Sequence, residues 1–189
     1  MPAPARTSRD AIVASGRAIL ERDGLDGLTM QRVAATVGVR APSLYKHVRD
    51  RGDLVRLILN DVAVELTAAL DAAAGSGEPR RDLGTLARAF RRFAMTHPEA
   101  YGLLFARLPD GSRIDPEVNA RAGEALLRAA AALAGPDDAL AAARTVTAWA
   151  HGFINMELAG AFRLGGDVDR AFEFGLERLT SAIAAPDRP

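Results

Sequence analysis

Residues 24–50 read GLDGLTMQRVAATVGVRAPSLYKHVRD, and this stretch decides the fold. Thr29 has the chemistry of an N-cap, and Met30, Val33, Ala34 and Val37 behind it fall on one face of a short helix. Gly38 stops that helix, because the left-handed turn it permits would cost any residue with a side chain. Pro42 then suits the first turn of a third, very short helix over 41–47. Leu44 and Val48 turn inward there, while Ser43, Tyr45, Lys46 and His47 stay outside. Two short helices joined by a tight glycine turn have the sequence form of a helix-turn-helix. The second of them is too weakly apolar to be a core element. Its polar, aromatic and cationic side chains suit a DNA major groove, about 12 Å wide.

Outward from this stretch the helical signals continue. Before it, Ser8 is a candidate N-cap for a helix carrying Ile12, Val13, Ala14, Ile19 and Leu20, which Gly24 ends. After it, Asp50, with Asp53 three residues on, caps a long helix through Leu54, Leu57, Ile58, Val62, Leu66 and Leu70. The segment Gly75-Ser76-Gly77-Glu78-Pro79 is the clearest turn and the best domain boundary. Helices follow near 80–96, 98–107, 116–134, 137–163 and 167–184, set off by Pro98, Pro109-Asp110-Gly111, Gly135-Pro136 and Gly165-Gly166. No strand or repeat is read, and the Pro-rich ends 1–6 and 185–189 are expected to fray. The expected class is all-α with about nine helices. It divides into a three-helix head over 1–50, a connecting helix 51–73 and a C-terminal helical domain over 74–189.

Composition narrows the chemistry. The chain has 189 residues, no cysteine and only three histidines, His47, His97 and His151. Disulfide frameworks, zinc fingers and cysteine nucleophiles are excluded, and the histidines are too scattered for metal-ligand spacing. No phosphate loop or nucleophile–base spacing appears, so neither a catalytic residue, a metal nor a cofactor is expected. There is no run of eighteen apolar residues, and MPAPARTSRD lacks an apolar signal core, which points to the cytoplasm and no membrane. The 24 basic and 24 acidic side chains cancel overall. Residues 1–60 nevertheless hold ten basic and six acidic groups, a balance of +4, and the remainder carries −4. That is the pattern of a chain whose one end meets a polyanion.

Residues 9–60 resemble the DNA-binding domain of the TetR family of bacterial transcriptional regulators. The likeness rests on the lead-in ERDGLDGLT, on MQRVAATVGVRAPSLYKHV, and on the helix start RDRGDLV, with Leu44-Tyr45-Lys46-His47-Val48 close to the family's recognition-helix motif. Val48 stands where an aromatic is commoner. Asp50-Arg51-Gly52-Asp53-Leu54 puts Arg51 in a lysine place and a glycine inside the first turn. The resemblance implies that Tyr45, Lys46 and His47 reach phosphates and that Arg40, Ala41, Pro42 and Ser43 face base edges, with only Arg40 able to hold guanine bidentately. It implies that Thr29 presents helix amides to a phosphate. Taken alone, Tyr45, Lys46 and His47 would read as an aromatic beside a solvated surface; the capped helix, glycine turn and local charge outweigh that reading. Arg6 and Arg9 carry two readings, an arm along the duplex or solvated terminal charge.

Beyond residue 80 the apolar faces are wide: Leu140, Ala143, Val146, Ala150, Phe153, Ile154 and Leu158 in one helix, Val168, Ala171, Phe172, Leu176, Leu179 and Ile183 in the next. In the family, two long C-terminal helices form a four-helix bundle with a partner's, which implies a homodimer. Ala148-Trp149-Ala150-His151-Gly152-Phe153 resembles the Trp-His-Gly signature of one subfamily. Small residues (Ala148, Ala150, Gly152, Ala159, Gly160) would let helices approach closely. Phe90, Phe93, Met95, His97, Tyr101, Leu104, Phe105, Trp149, His151, Phe153 and Met156 are candidates for an effector pocket, and each also reads as plain core. His97 also reads as a cap before Pro98. With few charges among them, the effector is expected to be small and apolar or amphipathic. The expected function is a one-component regulator, a repressor released from a palindromic double-stranded operator by such an effector. A helical-bundle interaction or ligand-binding protein with no DNA role is the alternative.

Overall fold

The computed structural model describes residues 7–184, and within them every regular element is an α-helix. In chain order these are α1 (Arg9–Gly27), α2 (Met30–Thr36), α3 (Ala41–Leu44), α4 (Arg51–Ala73), α5 (Pro79–Thr96), α6 (Pro98–Phe105), α7 (Pro116–Ala122), α8 (Glu124–Ala134), α9 (Ala139–Leu158) and α10 (Val168–Ile183). Only Gly123, itself still helical at φ −96°, separates α7 from α8, so the pair is the single helix read over 116–134. The expected ends at 1–6 and 185–189, with Arg6, lie outside the described residues.

The starts follow the capping residues. Ser8 accepts from the Ala11 amide, Thr29 from Arg32, Asp50 from Asp53 and Asp167 from Arg170. The bond removes one of the amides a helix start leaves without a partner. Gly24, at φ +68°, kinks α1 where the sequence reading ended it, and a last turn continues to Gly27. Two ends differ from expectation. Helix α3 is regular only to Leu44 and then tightens, with His47 and Val48 both donating to the Leu44 carbonyl. Helix α9 stops at Leu158 rather than near 163, because Gly160 takes a positive φ of 61° and closes the end. The Gly160 amide donates to Glu157 O, and the Ala161 amide to Met156 O, the paired bonds of a Schellman stop. Gly160 therefore ends the helix instead of easing a helix contact.

The described residues form two compact units. The first is the chain up to Val64 together with His97–Asn119. Its core joins α1, α2, α3 and the first half of α4 through Ile12, Leu28, Val33, Leu44, Leu54 and Ile58, all fully buried. Each such side chain contributes about 1.5–3 kcal/mol relative to exposure. Ala14, part of the apolar series along α1, is exposed. Segment 97–119 joins this unit because α1 caps α6: Glu21 accepts from the Glu99 and Ala100 amides. His97 precedes α6 but makes no capping bond with its side chain, so the cap is Glu21. The grouping divides α4 after Val64, whereas the linear boundaries at 51 and 74 followed turn signals alone.

The second unit takes Glu65–Thr96 and the chain from Ala120 on. Ala87, Phe172 and Leu176 form one cluster, with Trp149 and Phe153 packed against it. Ala130, Ala142 and Ala143 form another, with Leu126, Ala134 and Ile183 alongside. On α9 the buried face is Ala139, Ala142, Ala143, Val146, Ala150 and Ile154. Leu140 and Leu158, expected on that face, are exposed, because they lie on its flank, about 90° around the helix from its centre. Arg91 of α5 ties α9 to α10: it holds Glu157 with both fork nitrogens, reaches Asp169, and lies 4.8 Å from the Phe172 ring centre.

Candidate nucleic-acid interface

Helix α3 is held from one side only. Leu44 is fully buried and Val48 nearly so, and these two fix it against the first unit's core. Tyr45, the next residue, is 54% exposed, Lys46 is exposed and His47 is half-buried. Arg40 and Pro42 are exposed, while Ala41 and Ser43 are half-buried. Arg40 stands in the N-cap position of α3, where its carbonyl accepts from Ser43 at 2.8 Å. Gly38 makes the turn with φ +74° and nothing within 4 Å of the position a Cβ would take. Its requirement is thus purely one of backbone conformation. Seven residues expected on the DNA side, Arg40 to Ser43 and Tyr45 to His47, share one short segment around a buried anchor. Thr29 caps the helix before it.

Several charged groups hold this segment in place through bonds that the sequence does not announce. Arg51, in the place of the family's lysine, donates to the carbonyls of Leu28 at 2.7 Å and Leu25 at 2.6 Å, satisfying the end of α1. Arg9 donates to the His47 carbonyl at 3.3 Å, tying the start of α1 to the end of the α3 turn. Arg32 is engaged by Asp23 and the Gly27 carbonyl. Asp53, only 7% exposed, accepts from the Arg49 amide at 2.9 Å and from Arg56 at 2.8 Å. Burial alone would push its carboxyl up; the hydrogen bonds from the Arg49 amide and the Arg56 and Arg49 side chains outweigh this and hold it below the usual carboxylate value. Partners distant in sequence, such as Arg51 with Leu25, leave no periodic trace to read.

Similarity to known proteins agrees with this geometry. Residues 12–58 match the family described as bacterial regulatory proteins, tetR family, and residues 83–179 match the tetracyclin repressor-like C-terminal domain. A helix-turn-helix-type transcriptional regulator of Mycobacterium tuberculosis is 33% identical over 185 residues, covering 95% of this chain and 83% of its own. The chain belongs to the TetR family. A second helix-turn-helix-type regulator, from Saccharopolyspora erythraea, is 30% identical, with 94% of this chain and 85% of that one covered. Among solved structures, a protein from Rhodococcus sp. RHA1 aligns with a TM-score of 0.83 at 27% identity, covering 97% of this chain and all of that one. TetR from Acinetobacter baumannii, in complex with minocycline, shares the fold at a TM-score of 0.69 and 21% identity, with 94% and 96% of the two chains covered. The chain is therefore a TetR-family helix-turn-helix transcriptional regulator.

The expected effector residues of this TetR-family chain fall into both units. In the second, Trp149 stacks obliquely on Phe172 at 5.0 Å and on Phe153 at 5.9 Å, and Phe153 meets Phe172 edge-on. Gly175 of α10 seats the indole: a Cβ there would lie 2.6 Å from Trp149 Cζ2. Phe93 is buried, Phe90 half-buried and Met156 exposed. His151 is half-buried beside the Asn155 amide at 2.9 Å, and burial lowers its pKa, favouring the neutral ring. In the first unit Tyr101 is fully buried against the half-exposed Phe105 at 5.2 Å, and burial pushes its phenol up. His97 Nδ1 lies 3.8 Å from Glu21. An open crevice of about 460 Å³ lies between α4, α5 and α8, bordered by Asp71, Ala74, Asp82, Ala125, Arg128 and Ala132. None of the expected effector residues borders it. Among the described residues, no His, Asp and Glu cluster could hold a metal ion, and no helix is long and apolar enough to cross a membrane.

Proposed function

We propose that the protein is a homodimeric repressor that binds a palindromic double-stranded operator and leaves it when a small apolar or amphipathic effector binds. The observation that carries the proposal is α3, a single regular turn pinned by Leu44 with Tyr45 and Lys46 outside. Tyr45, Lys46 and His47 hold phosphates, Thr29 directs the start of α2 at a phosphate, and Arg40, Ala41, Pro42 and Ser43 read bases. One such helix reads too few base pairs, so two copies related by a two-fold axis read a palindrome, with half-sites about 34–36 Å apart. The exposed Leu140 and Leu158, which share one side of α9, give a second copy apolar surface to cover.

Functionally, residues 1–50 form the reading head, 51–73 the lever and 74–189 the sensing and pairing body. Effector contact is proposed for Phe90, Phe93, Trp149, His151, Phe153 and Met156 and, in the first unit, for His97, Tyr101 and Phe105. Burial that favours the neutral ring of His151 supports an uncharged or amphipathic effector. The Trp149 to Gly152 run supports placement in the Trp-His-Gly group. The protein acts by binding rather than catalysis, in the cytoplasm. Titration of labelled DNA from upstream of its own gene tests the proposal. Saturable binding that weakens steeply with salt is expected, whereas salt-insensitive or absent binding would overturn it.

A further inference from the structure

The segment between α6 and α7 is fastened to the beginning of α4 by an unbroken set of charged hydrogen bonds. Asp115 accepts from Arg56 Nη1 with both oxygens, at 2.8 and 2.9 Å, and from Asn60 Nδ2 at 2.6 Å. Its own amide donates back to Asn60 Oδ1 at 2.9 Å. Arg56 uses its other nitrogen, Nη2, to reach Asp53 Oδ1 at 2.8 Å. The second oxygen of Asp53 accepts from the backbone amide of Arg49, the residue directly after Val48. The same segment buries Ser112, whose Oγ would lie 3.0 Å from a Cβ at position 52. That accounts for Gly52 inside a helical first turn, where glycine is otherwise costly by about 1 kcal/mol.

From this juxtaposition we propose that Asp115 is a positioning residue for DNA recognition, acting through Arg56 and Asp53 on the backbone where the chain leaves α3. The inference rests on α3 being the recognition helix. Its physical basis is geometric. Helix α3 is one turn long and has two buried anchors, Leu44 and Val48, so its orientation about that anchor depends on how its exit is held. Asp53 holds that exit by a backbone bond, and Arg56 fixes the Asp53 carboxylate. Arg56 has a planar fork and donates to two carboxylates at once, so removing Asp115 leaves it held by Asp53 alone, on one side. Sites that read sequence need side chains held to within about 0.5 Å, whereas phosphate attraction tolerates looser placement.

The test uses the full-length protein and Asp115→Asn, which keeps the side chain's shape and removes its charge. Affinities are measured by fluorescence anisotropy for upstream DNA and for a scrambled duplex, across a salt series. Specific binding is expected to weaken between about threefold and thirtyfold. Scrambled-duplex binding and the slope of log K against log salt stay unchanged, because no phosphate contact is lost. In an Arg40→Ala background the same substitution has a smaller effect, since a base-reading side chain it positions is gone. Asn60→Ala, which frees the Asp115 amide and leaves the Arg56 pair, gives the same pattern in weaker form. It is the variant to read should Asp115→Asn fold poorly. Unchanged specific affinity, an equal loss on both duplexes, or losses that multiply with Arg40→Ala would each overturn the proposal. If the wild-type protein fails to bind upstream DNA, it is the recognition-helix reading that falls instead.

Discussion

Leu44→Ala and Tyr45→Ala alter neighbouring residues on one turn, and the two substitutions should damage different properties. Leu44 is fully buried and is one of two anchors of α3. Its truncation removes buried methyl groups and leaves a cavity, costing about 2–5 kcal/mol. For a chain of this length each kcal/mol lowers the melting temperature by about 2–4 °C, so a fall of roughly 5–20 °C is expected. Tyr45 is 54% exposed, and its removal should change stability by no more than about 0.5 kcal/mol. It does remove a phosphate hydrogen bond worth about 1 kcal/mol, present twice on a palindrome. The sum, about 2 kcal/mol, is roughly a thirtyfold loss of DNA affinity. Thermal melts followed by circular dichroism, beside anisotropy titrations with upstream DNA, separate the two. The reasoning fails if Tyr45→Ala melts as early as Leu44→Ala, or if it binds DNA within twofold of the wild type.

Three further outcomes are expected. Gly38→Ala places a side chain at φ +74° in open space, so it should cost about 1–2 kcal/mol of backbone strain, seen as a lower denaturation midpoint. Gly175→Ala forces its Cβ against the indole of Trp149, the chain's one tryptophan, so the emission spectrum should shift and stability fall by about 1–3 kcal/mol. Asp53 titrates lower in the folded protein than in the unfolded chain, so its contribution is present above about pH 4 and is lost as pH falls through its folded value. The stability gap between wild type and Asp53→Asn, from urea titrations at pH 7 down to 3, should therefore narrow on acidification. A gap that widens would reverse the sign of the shift.

What could be read from the sequence was whatever local chemistry encodes. Ser8, Thr29 and Asp50 announce helix starts because capping is a contact over three residues. The anchor at Leu44 and the exposure of Tyr45 follow from helical spacing over a few positions. Helix α9 shows where this stops. A wide apolar face does not say which side meets the chain's own core, so Leu140 and Leu158 were read as inward and lie outside. Gly160, read as a small residue for close packing, is a helix stop, and only its backbone bonds reveal this. The link from Asp115 to Arg56 spans 59 residues, and the Glu21 cap on α6 joins residues 78 and 79 apart. Pairings at such distances arise from the fold and have no periodicity. The expected effector residues were chosen as aromatics, and aromatics also build cores, as Tyr101 and Phe172 do.

The central claim is that α3 reads DNA as one of a symmetric pair. Hydroxyl-radical footprinting of the wild-type protein on DNA upstream of its own gene tests this most directly. Two protected half-sites with inverted sequence, centred about one helical turn or a whole multiple of it apart, are predicted, and Tyr45→Ala should weaken both together. Uniform, unphased protection, or protection that Tyr45→Ala leaves intact, would contradict the account.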